Sequence, residues 1–139
     1  MTNEHVRVVF HLEPTPLLVG VLRGAVHFQA LHAGFKTEPG AEIASASEDV
    51  CRETLSQLAD TGCGLEVALD TFADRIEVSI MHGGNAAPAV GLETFTFSDI
   101  VQQGAGGING LELLSRVDRV LYSAEGGKGR TTLVKFLRS

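Results

Sequence analysis

The apolar positions of this chain follow two periods, one of two residues and one of three to four, and their succession predicts both strands and helices. Val6–Leu12 is rich in β-branched and aromatic residues and stops before Pro14, which predicts a first strand. Apolar residues then recur at helical spacing over residues 15–33, where Pro16 suits the first turn of a helix. The chain therefore begins with a strand that is followed by a helix.

A second helix is predicted over residues 41–60, after a polar connection over residues 36–40 that carries a Pro-Gly turn signal. Its apolar stripe consists of Ile43, Ala46, Val50 and Leu58. Glu53 and Gln57 are separated by one helical turn, so their side chains lie one above the other on one flank. Such a pair is by itself typical of a solvated helix edge.

Strict alternation marks the clearest β-hairpin in the sequence. The apolar rows of its two strands are Leu65, Val67 and Leu69, and then Ile76, Val78 and Ile80. The polar turn between them lies around Ala73, and the second strand runs into a glycine-containing turn near His82. Residues 86–106 show little periodicity, so a long loop is predicted there.

A short apolar helix is predicted over residues 110–117, and strands follow it over residues 120–123 and 131–137. A turn over residues 125–129 joins these strands, and apolar residues on both sides of the last strand indicate an interior position. The order β-α-α-β-β-loop-α-β-β predicts an α/β two-layer sandwich, with a mixed, mostly antiparallel sheet and helices on one face. All of residues 1–139 fit a single domain.

Composition narrows the classes of partner. The formal net charge of −6 argues against nucleic acid, whose phosphates are bound by clustered lysine and arginine. No apolar run is as long as a membrane span, and the N-terminus lacks the layout of a signal peptide, so a cytoplasmic protein is expected. Cys51 and Cys63 fit no metal or redox motif, which favours reduced thiols.

Two stretches near the C-terminus carry a resemblance. Gly110-Leu-Glu-Leu-Leu-Ser-Arg-Val-Asp-Arg-Val resembles the glycine box and helix of the GHKL-type ATPases, and Gly129-Arg-Thr-Thr-Leu-Val-Lys-Phe-Leu resembles their closing Gly-Thr-Thr strand. With the element order, these stretches resemble most the small anti-sigma-factor/serine kinases of bacterial partner-switching systems. The resemblance covers nearly the whole chain and implies a role in transcription regulation.

In that family the long helix carries Glu-x-x-x-Asn, in which the Glu polarises the attacking hydroxyl and the Asn side-chain oxygen holds Mg²⁺. The resemblance implies that Glu53 is the catalytic residue here and Gln57 the metal ligand, although Gln is one methylene longer than Asn. An alternative register places Glu48 and Arg52 at these positions and removes the metal ligand. The apolar positions around Glu53 favour the first register slightly, and neither restores the asparagine.

The second family box, Asp-x-Gly-x-Gly, accepts the adenine amino group on its carboxylate. Here it reads His82-Gly83-Gly84-Asn85-Ala86, so the adenine contact falls to a histidine that carries no charge when neutral. The third box, usually Gly-x-Gly, is stretched to Gly107-Ile-Asn-Gly110, whose backbone amides open the third helix and suit a phosphate. The nucleotide contacts that the resemblance implies are Gln57, His82, Gly84, Gly107, Asn109, Gly110 and Thr131.

These departures from the family pattern lead to two hypotheses. In the first, the domain keeps the kinase-like scaffold, has lost or weakened its nucleotide chemistry, and regulates a protein partner by contact. The resemblance implies a sigma factor or an anti-sigma-factor antagonist as that partner, and a homodimer that pairs through the first strand and helix. In the second, the chain is a serine-protein kinase that uses ATP and Mg²⁺ to phosphorylate the antagonist.

Overall fold

A computed structural model describes residues 5–13, 15–58, 64–83, 110–125 and 127–138 of the chain. The strands among these residues are β1 (Val6–Leu12), β2 (Leu65–Thr71), β3 (Arg75–His82), β4 (Arg119–Glu125) and β5 (Lys128–Phe136). The α-helices are α1 (Val19–His32), which follows a 3₁₀ turn over Pro16–Leu18, then α2 (Thr37–Gln57) and α3 (Gly110–Leu114). The strand at the N-terminus, the first helix and the central hairpin lie where the apolar pattern predicts them.

The described strands form one sheet in the order β1-β2-β3-β5-β4, and every neighbouring pair is antiparallel. The sheet, which was predicted as mixed and mostly antiparallel, is antiparallel throughout its described part. β5 lies between β3 and β4, which confirms the interior position indicated by its apolar residues. The register of β3 with β5 places His82 opposite Gly129.

The helices α1 and α2 pack on each other and cover one face of the sheet, as predicted. Alternate strand residues point toward them, so that Val67, Ile80 and Leu133 are buried in the same core as Val50 of α2. The residues between these positions, such as Thr132, point to the opposite side of the sheet. We call that side the outer face.

The start of the second helix differs from the prediction at residue 41, because α2 begins at Thr37. Pro39 and Gly40, which carry the turn signal, lie in the first turn of α2, where a proline does not interrupt a backbone hydrogen bond. A Cβ on Gly40 would lie 3.2 Å from Cδ2 of His27 on α1. The glycine thus serves close packing between two helices rather than a turn.

The third helix is shorter than predicted, since α3 ends at Leu114 rather than at residue 117. Its last turn is closed by Ser115, whose hydroxyl donates to the carbonyl oxygen of Glu112 over 2.5 Å. Such local side-chain bonds offer the backbone an alternative to further helix. Val117 lies beyond this turn and still contributes to the core.

Both C-terminal strands are longer than predicted and shorten the turn between them. β4 continues to Glu125 and β5 begins at Lys128, instead of at residue 131. Gly127 lies between them with a φ of 79°, a left-handed conformation that favours glycine.

Cys51 is a free thiol in the core, as predicted. Burial raises the pKa of this thiol to about 12, and the charge of Glu48 adds to the rise, so Cys51 is protonated and unreactive at neutral pH. Cys63 and the loop predicted over residues 86–106 lie outside the described residues. None of the described helices has both the length and the apolar character needed to cross a membrane.

Candidate functional site

The C-terminal part of α2 packs on the sheet, because Leu55 and Leu58 belong to the same core as Ile80 of β3 and Leu133 of β5. Near the other end of the helix, Nζ of Lys135 donates to Oε1 of Glu42 over 3.2 Å and anchors α2 over β5. From Glu42 to Gln57 the helix rises by about 22 Å, which is close to the length of β5 between Lys135 and Gly129. The register of β3 with β5 sets Gly129 opposite His82 at the end of this strand pair that is remote from Lys135.

Glu53 and Gln57 lie on one flank of this end of α2, and both are half-buried. Within the described part of the chain, the Glu53 carboxylate has no hydrogen bond and no ion pair. Oε1 of Gln57 is buried and accepts no hydrogen bond from the described residues. Buried polar atoms without partners cost free energy, and they are often found where a side chain serves a function other than folding.

The alternative register lies on the α1 side of α2. Oε1 of Glu48 accepts from Arg23 of α1 over 3.0 Å, and its Oε2 accepts from Arg52 over 2.6 Å. Both carboxylate oxygens of Glu48 are thus engaged in an ion pair that joins the two helices. This geometry favours Glu53, rather than Glu48, as the carboxylate that faces the candidate site.

His82 ends β3 with its imidazole packed against the backbone of Gly129. A Cβ on Gly129 would lie 2.6 Å from both Cε1 and Nε2 of His82, and 2.9 Å from the hydroxyl oxygen of Tyr122. His82 is only 4% exposed, and its Nδ1 makes a long contact of 3.4 Å with the carbonyl oxygen of Gly83. His82 is two residues after buried Ile80, so both side chains point to the helix side of the sheet. His82 therefore belongs to β3 instead of to the predicted turn.

The remaining predicted contacts divide into described and undescribed residues. Thr131 is buried on the helix side of β5, at the next inward position after Gly129. Gly110 is the buried first residue of α3. Gly84, Gly107 and Asn109 lie outside the described residues, so their nucleotide contacts stay predictions.

A cavity of about 380 Å³ opens at the same end of the sheet. The described residues that line it include His11, Glu13, Glu66, Met81, His82 and Lys128. It lies beyond the strand ends and contains outer-face residues such as Glu66 and Met81, whereas Glu53 and Gln57 belong to the helix side. The charged residues in its described lining are Glu13, Glu66 and Lys128. Charges of both signs therefore do not produce the positive electrostatic potential that would select a polyphosphate.

The flank that carries Glu53 is closely paired one and two turns earlier. Nη1 of Arg116 donates to Oγ of Ser45 over 2.9 Å and to Oδ2 of Asp49 over 2.8 Å, while Nη2 donates to Oε1 of Glu112 over 2.6 Å. The Arg116 carbonyl oxygen in turn accepts from Nζ of Lys135 over 2.6 Å. These contacts, which we call the Arg116 cluster, tie α3 and the start of β4 to α2.

The described residues do not fit an ATP–Mg²⁺ group of the kind that the resemblance implies. In the family pattern a single Asn amide oxygen holds Mg²⁺, whereas Gln57 carries its amide oxygen on a side chain that is one methylene longer, and Mg²⁺ demands near-ideal octahedral geometry. His82 brings no negative charge when neutral to the position of the adenine-binding carboxylate, and its ring fills the space over Gly129. We therefore derive no reaction step through a nucleotide.

Sequence reasoning did not assign Tyr122, Gly129 or the Arg116 cluster to this region. The Gly-x-Thr-Thr stretch did signal Gly129, but its contact with the His82 ring depends on the register of β3 and β5. Arg116 and Asp49 are 67 positions apart, and no local pattern links them.

No protein-family profile and no curated protein matches the chain. A solved structure does match, described as the crystal structure of the RsbU and RsbW domains of Rv1364c from Mycobacterium tuberculosis. The match has a TM-score of 0.56 at 12% sequence identity, and it covers 96% of this chain and 33% of that one. The chain thus spans about a third of the length of this structural neighbour. At this identity the likeness shows the fold alone, an α/β fold in which helices pack on an antiparallel sheet.

Proposed function

We propose that the chain is a regulatory protein of the anti-sigma-factor/serine-kinase type, which acts by protein contact and has lost or weakened its nucleotide chemistry. The proposed partner is a sigma factor or an anti-sigma-factor antagonist. The resemblance in the C-terminal boxes supports this type of protein, and so does the likeness of fold to a structure of RsbU and RsbW domains. Function resides in sites rather than folds, so the state of the candidate site decides between contact and catalysis.

The observation that carries the proposal is the packing of His82. The adenine amino group donates hydrogen bonds, and a carboxylate accepts them with two charged oxygens. A neutral imidazole offers one uncharged acceptor, and a protonated imidazole offers none. The His82 ring also occupies the space that Gly129 leaves open. The loss of the carboxylate and the filling of this space both weaken recognition of the adenine base. The core of the fold does not require that a base is bound.

Calorimetric titration with ATP and Mg²⁺, with ADP in parallel, tests the nucleotide half of the proposal. The wild-type chain is expected to give no saturable heat up to about 1 mM nucleotide. His82→Asp is the matched variant, because it restores a carboxylate and is smaller than the imidazole, and it should bind nucleotide more tightly than wild type. Micromolar binding by the wild type that disappears in His82→Ala would contradict the proposal.

Exposed apolar side chains on the first helix support a function in protein contact. Leu17 in the 3₁₀ turn is 82% exposed, and on α1 Val21 is 62% and Phe28 is 66% exposed. These residues recur at helical spacing, so they lie along one side of the helix. Exposed apolar patches on soluble domains often mark contact with another protein. A second copy of the chain is the occupant we propose for this side of α1.

Sedimentation velocity tests the pairing of two copies. Phe28→Glu is expected to convert dimer into monomer, because it places a charge in an apolar contact. The matched control is Leu121→Glu, which makes the same change at an exposed leucine on β4. A wild-type chain that stays monomeric at all concentrations, or equal effects of both variants, would count against pairing through α1.

An active serine kinase is the second candidate, and one observation favours it. Glu53 and Oε1 of Gln57 lie on the same flank of α2, and neither has a partner among the described residues. A labelled-ATP assay on the partner protein separates the candidates. Serine phosphorylation by the wild type that is lost in Glu53→Gln would establish the kinase and overturn the contact-only account.

A further inference from the structure

Most of the cations in this chain are neutralised within the fold. Of the eleven lysine and arginine residues, seven form ion pairs among the described residues. The exposed cations without such a partner are Lys36, Arg119, Lys128 and Arg130. Lys36 lies apart, between α1 and α2, whereas the other three belong to β4 and β5. Among the described residues of this chain of net charge −6, most of the cations without an ion-pair partner thus lie on two neighbouring strands.

These strands present the free cations on the outer face, around an exposed leucine. Leu121 of β4 lies opposite Thr132 of β5, and Ser123 lies opposite Arg130. Arg119 points to the same face as Leu121, so one cation lies on each side of the leucine. The two cations are about 13 Å apart along the strands. Leu121 is 53% exposed, which leaves an apolar surface between two positive charges.

The described carboxylates nearby are engaged with other groups, and an aromatic ring holds one of the cations in place. The Arg119 guanidinium lies over the ring of Phe136, with Cζ 5.4 Å from the ring centroid, which holds it on the outer face. The carboxylate of Asp118 is already engaged, since it accepts from the backbone N–H of Phe136 over 2.7 Å and from Arg138 over 2.8 Å. On β3 the carboxylate of Glu77 is ion-paired over 2.7 Å.

β4 is also an edge strand of the described sheet, with β5 as its neighbour on one side only. Such an edge offers backbone N–H and C=O groups to an added strand. An added strand would place every second side chain on the outer face, with the same spacing as Arg119, Leu121 and Ser123. Backbone pairing and outer-face contacts are therefore available to one extended ligand at once.

We propose that the outer face of β4 and β5 binds an extended acidic segment of a partner protein, which adds to the edge of β4. Its outer-face side chains alternate acidic, apolar and acidic, so that carboxylates meet Arg119 and Arg130 while an apolar side chain packs on Leu121. Lys128, which lies opposite Glu125 in the strand register, continues the outer-face row of β5 beyond Arg130. The inference goes beyond the proposed function, because it does not depend on the state of the nucleotide site.

Other occupants fit the surface less well. Three cations neutralise few phosphates, and a chain of net charge −6 repels nucleic acid as a whole. A second copy would use its own acidic surface, and binding would then depend on protein concentration instead of on an added peptide. Both occupants are distinguishable outcomes of the same experiment.

Fluorescence anisotropy with a short labelled peptide that contains Glu-x-Leu-x-Glu tests the proposal on the full chain. Arg119→Glu and Arg130→Glu are each expected to weaken binding by about five-fold or more, and the effect should shrink as salt is added. Lys36→Glu is the matched control, because it changes the net charge equally at an exposed unpaired cation elsewhere, and it should alter binding by less than about two-fold. Thermal unfolding verifies that the variants are folded.

Two further arms test the geometry. Leu121→Ser should weaken the Glu-x-Leu-x-Glu peptide but not a peptide with Ser in place of its Leu. Two peptides should be compared, one N-methylated at its odd-numbered residues and the other at its even-numbered residues. Only one of these two changes should abolish binding, since only one edge of an added strand pairs with β4. Equal effects of Lys36→Glu and Arg130→Glu, tighter binding of single-stranded DNA than of the peptide, self-association in place of peptide binding, or equal losses in both N-methyl parities would overturn the proposal.

Discussion

Two parts of one flank of α2 differ in the hydrogen bonding of their polar side chains. In the N-terminal part, Asp49 accepts from Arg116 and Glu42 accepts from Lys135. In the C-terminal part, Glu53 has no partner in the described structure and Oε1 of Gln57 is buried without one. The same helix surface therefore contains a hydrogen-bonded cluster and, one turn later, a carboxylate and an amide oxygen without partners among the described residues.

The difference shows which polar residues the fold requires. The Arg116 cluster joins α2 to α3 and β4 through several hydrogen bonds, although Nε of Arg116 is itself buried without a partner among the described residues. Glu53 and Oε1 of Gln57 form no such hydrogen bonds among the described residues, and both side chains are half-buried in the last turns of α2. Unpaired polar groups at such a place indicate a site that works, or one whose ligand chemistry has changed. The His82 packing favours the second reading.

The largest expected effect lies at the His82 end. Gly129→Val should lower the free energy of unfolding by about 2–3 kcal/mol, because its side chain would overlap the His82 ring and the Tyr122 hydroxyl. Combining it with His82→Ala should recover much of that loss, since the overlap disappears. Urea denaturation measures both variants. Simple additivity of the two changes would show that the ring does not occupy this space.

The next effect tests the paired part of the flank. Arg116→Met should lower the free energy of unfolding by about 1–2 kcal/mol, because Asp49 and Glu112 lose their cation while the aliphatic packing is kept. Glu53→Gln is the matched change on the same flank and should stay within about 0.5 kcal/mol of wild type. If both variants lose similar stability in urea denaturation, the contrast between the two parts does not hold.

A smaller effect is expected at the orphaned amide. Gln57→Met keeps the shape of the side chain and removes the unpaired oxygen, so stability should be unchanged or rise by up to about 1 kcal/mol. Gln57→Asn is the control variant, since it shortens the side chain without removing the amide. A clear loss of stability in Gln57→Met would mean that the oxygen has a partner in the folded chain.

The smallest effect is a pH dependence at a fully paired site elsewhere, on the outer face of β2. Burial alone would raise the pKa of Asp70, but hydrogen bonds from Arg7 and His5 outweigh it and hold the pKa below the ordinary value of 3.8. Its contribution to stability is therefore complete above that value and is lost as pH falls through the lower folded-state pKa. Asp70→Asn should flatten this acid limb in unfolding experiments between about pH 5 and 2. An unchanged limb would mean that other carboxylates control it.

Much of the fold could be predicted because alternation and helical spacing respond to burial alone. The hairpin and the first strand follow from their apolar rows, and the interior position of the last strand follows from apolar residues on both sides. Helix and strand ends were less predictable, since they depend on partners distant in sequence. Pro39 and Gly40 indicate a turn locally, yet His27 of α1 is packed against that glycine.

The candidate site was predictable only in part, for the same physical reason. The spacing of Glu53 and Gln57 places them on one flank without any knowledge of the fold. The choice between Glu53 and Glu48 required the position of Arg23, which lies on another helix. The packing of His82 required the strand register that sets it opposite Gly129. Residue types and spacing thus identify candidates, whereas their partners decide which of them are free.

The most direct test of the central claim is a site-resolved NMR titration of the wild-type chain with ATP and Mg²⁺. The His82 ring resonances and the Gly129 amide report on the position at which the family pattern would hold adenine. Our account predicts that neither signal shifts up to about 1 mM nucleotide, while in His82→Asp the Gly129 amide shifts and saturates. Shifts of both wild-type signals that saturate at roughly tens of micromolar ATP would contradict the account and identify a working nucleotide site.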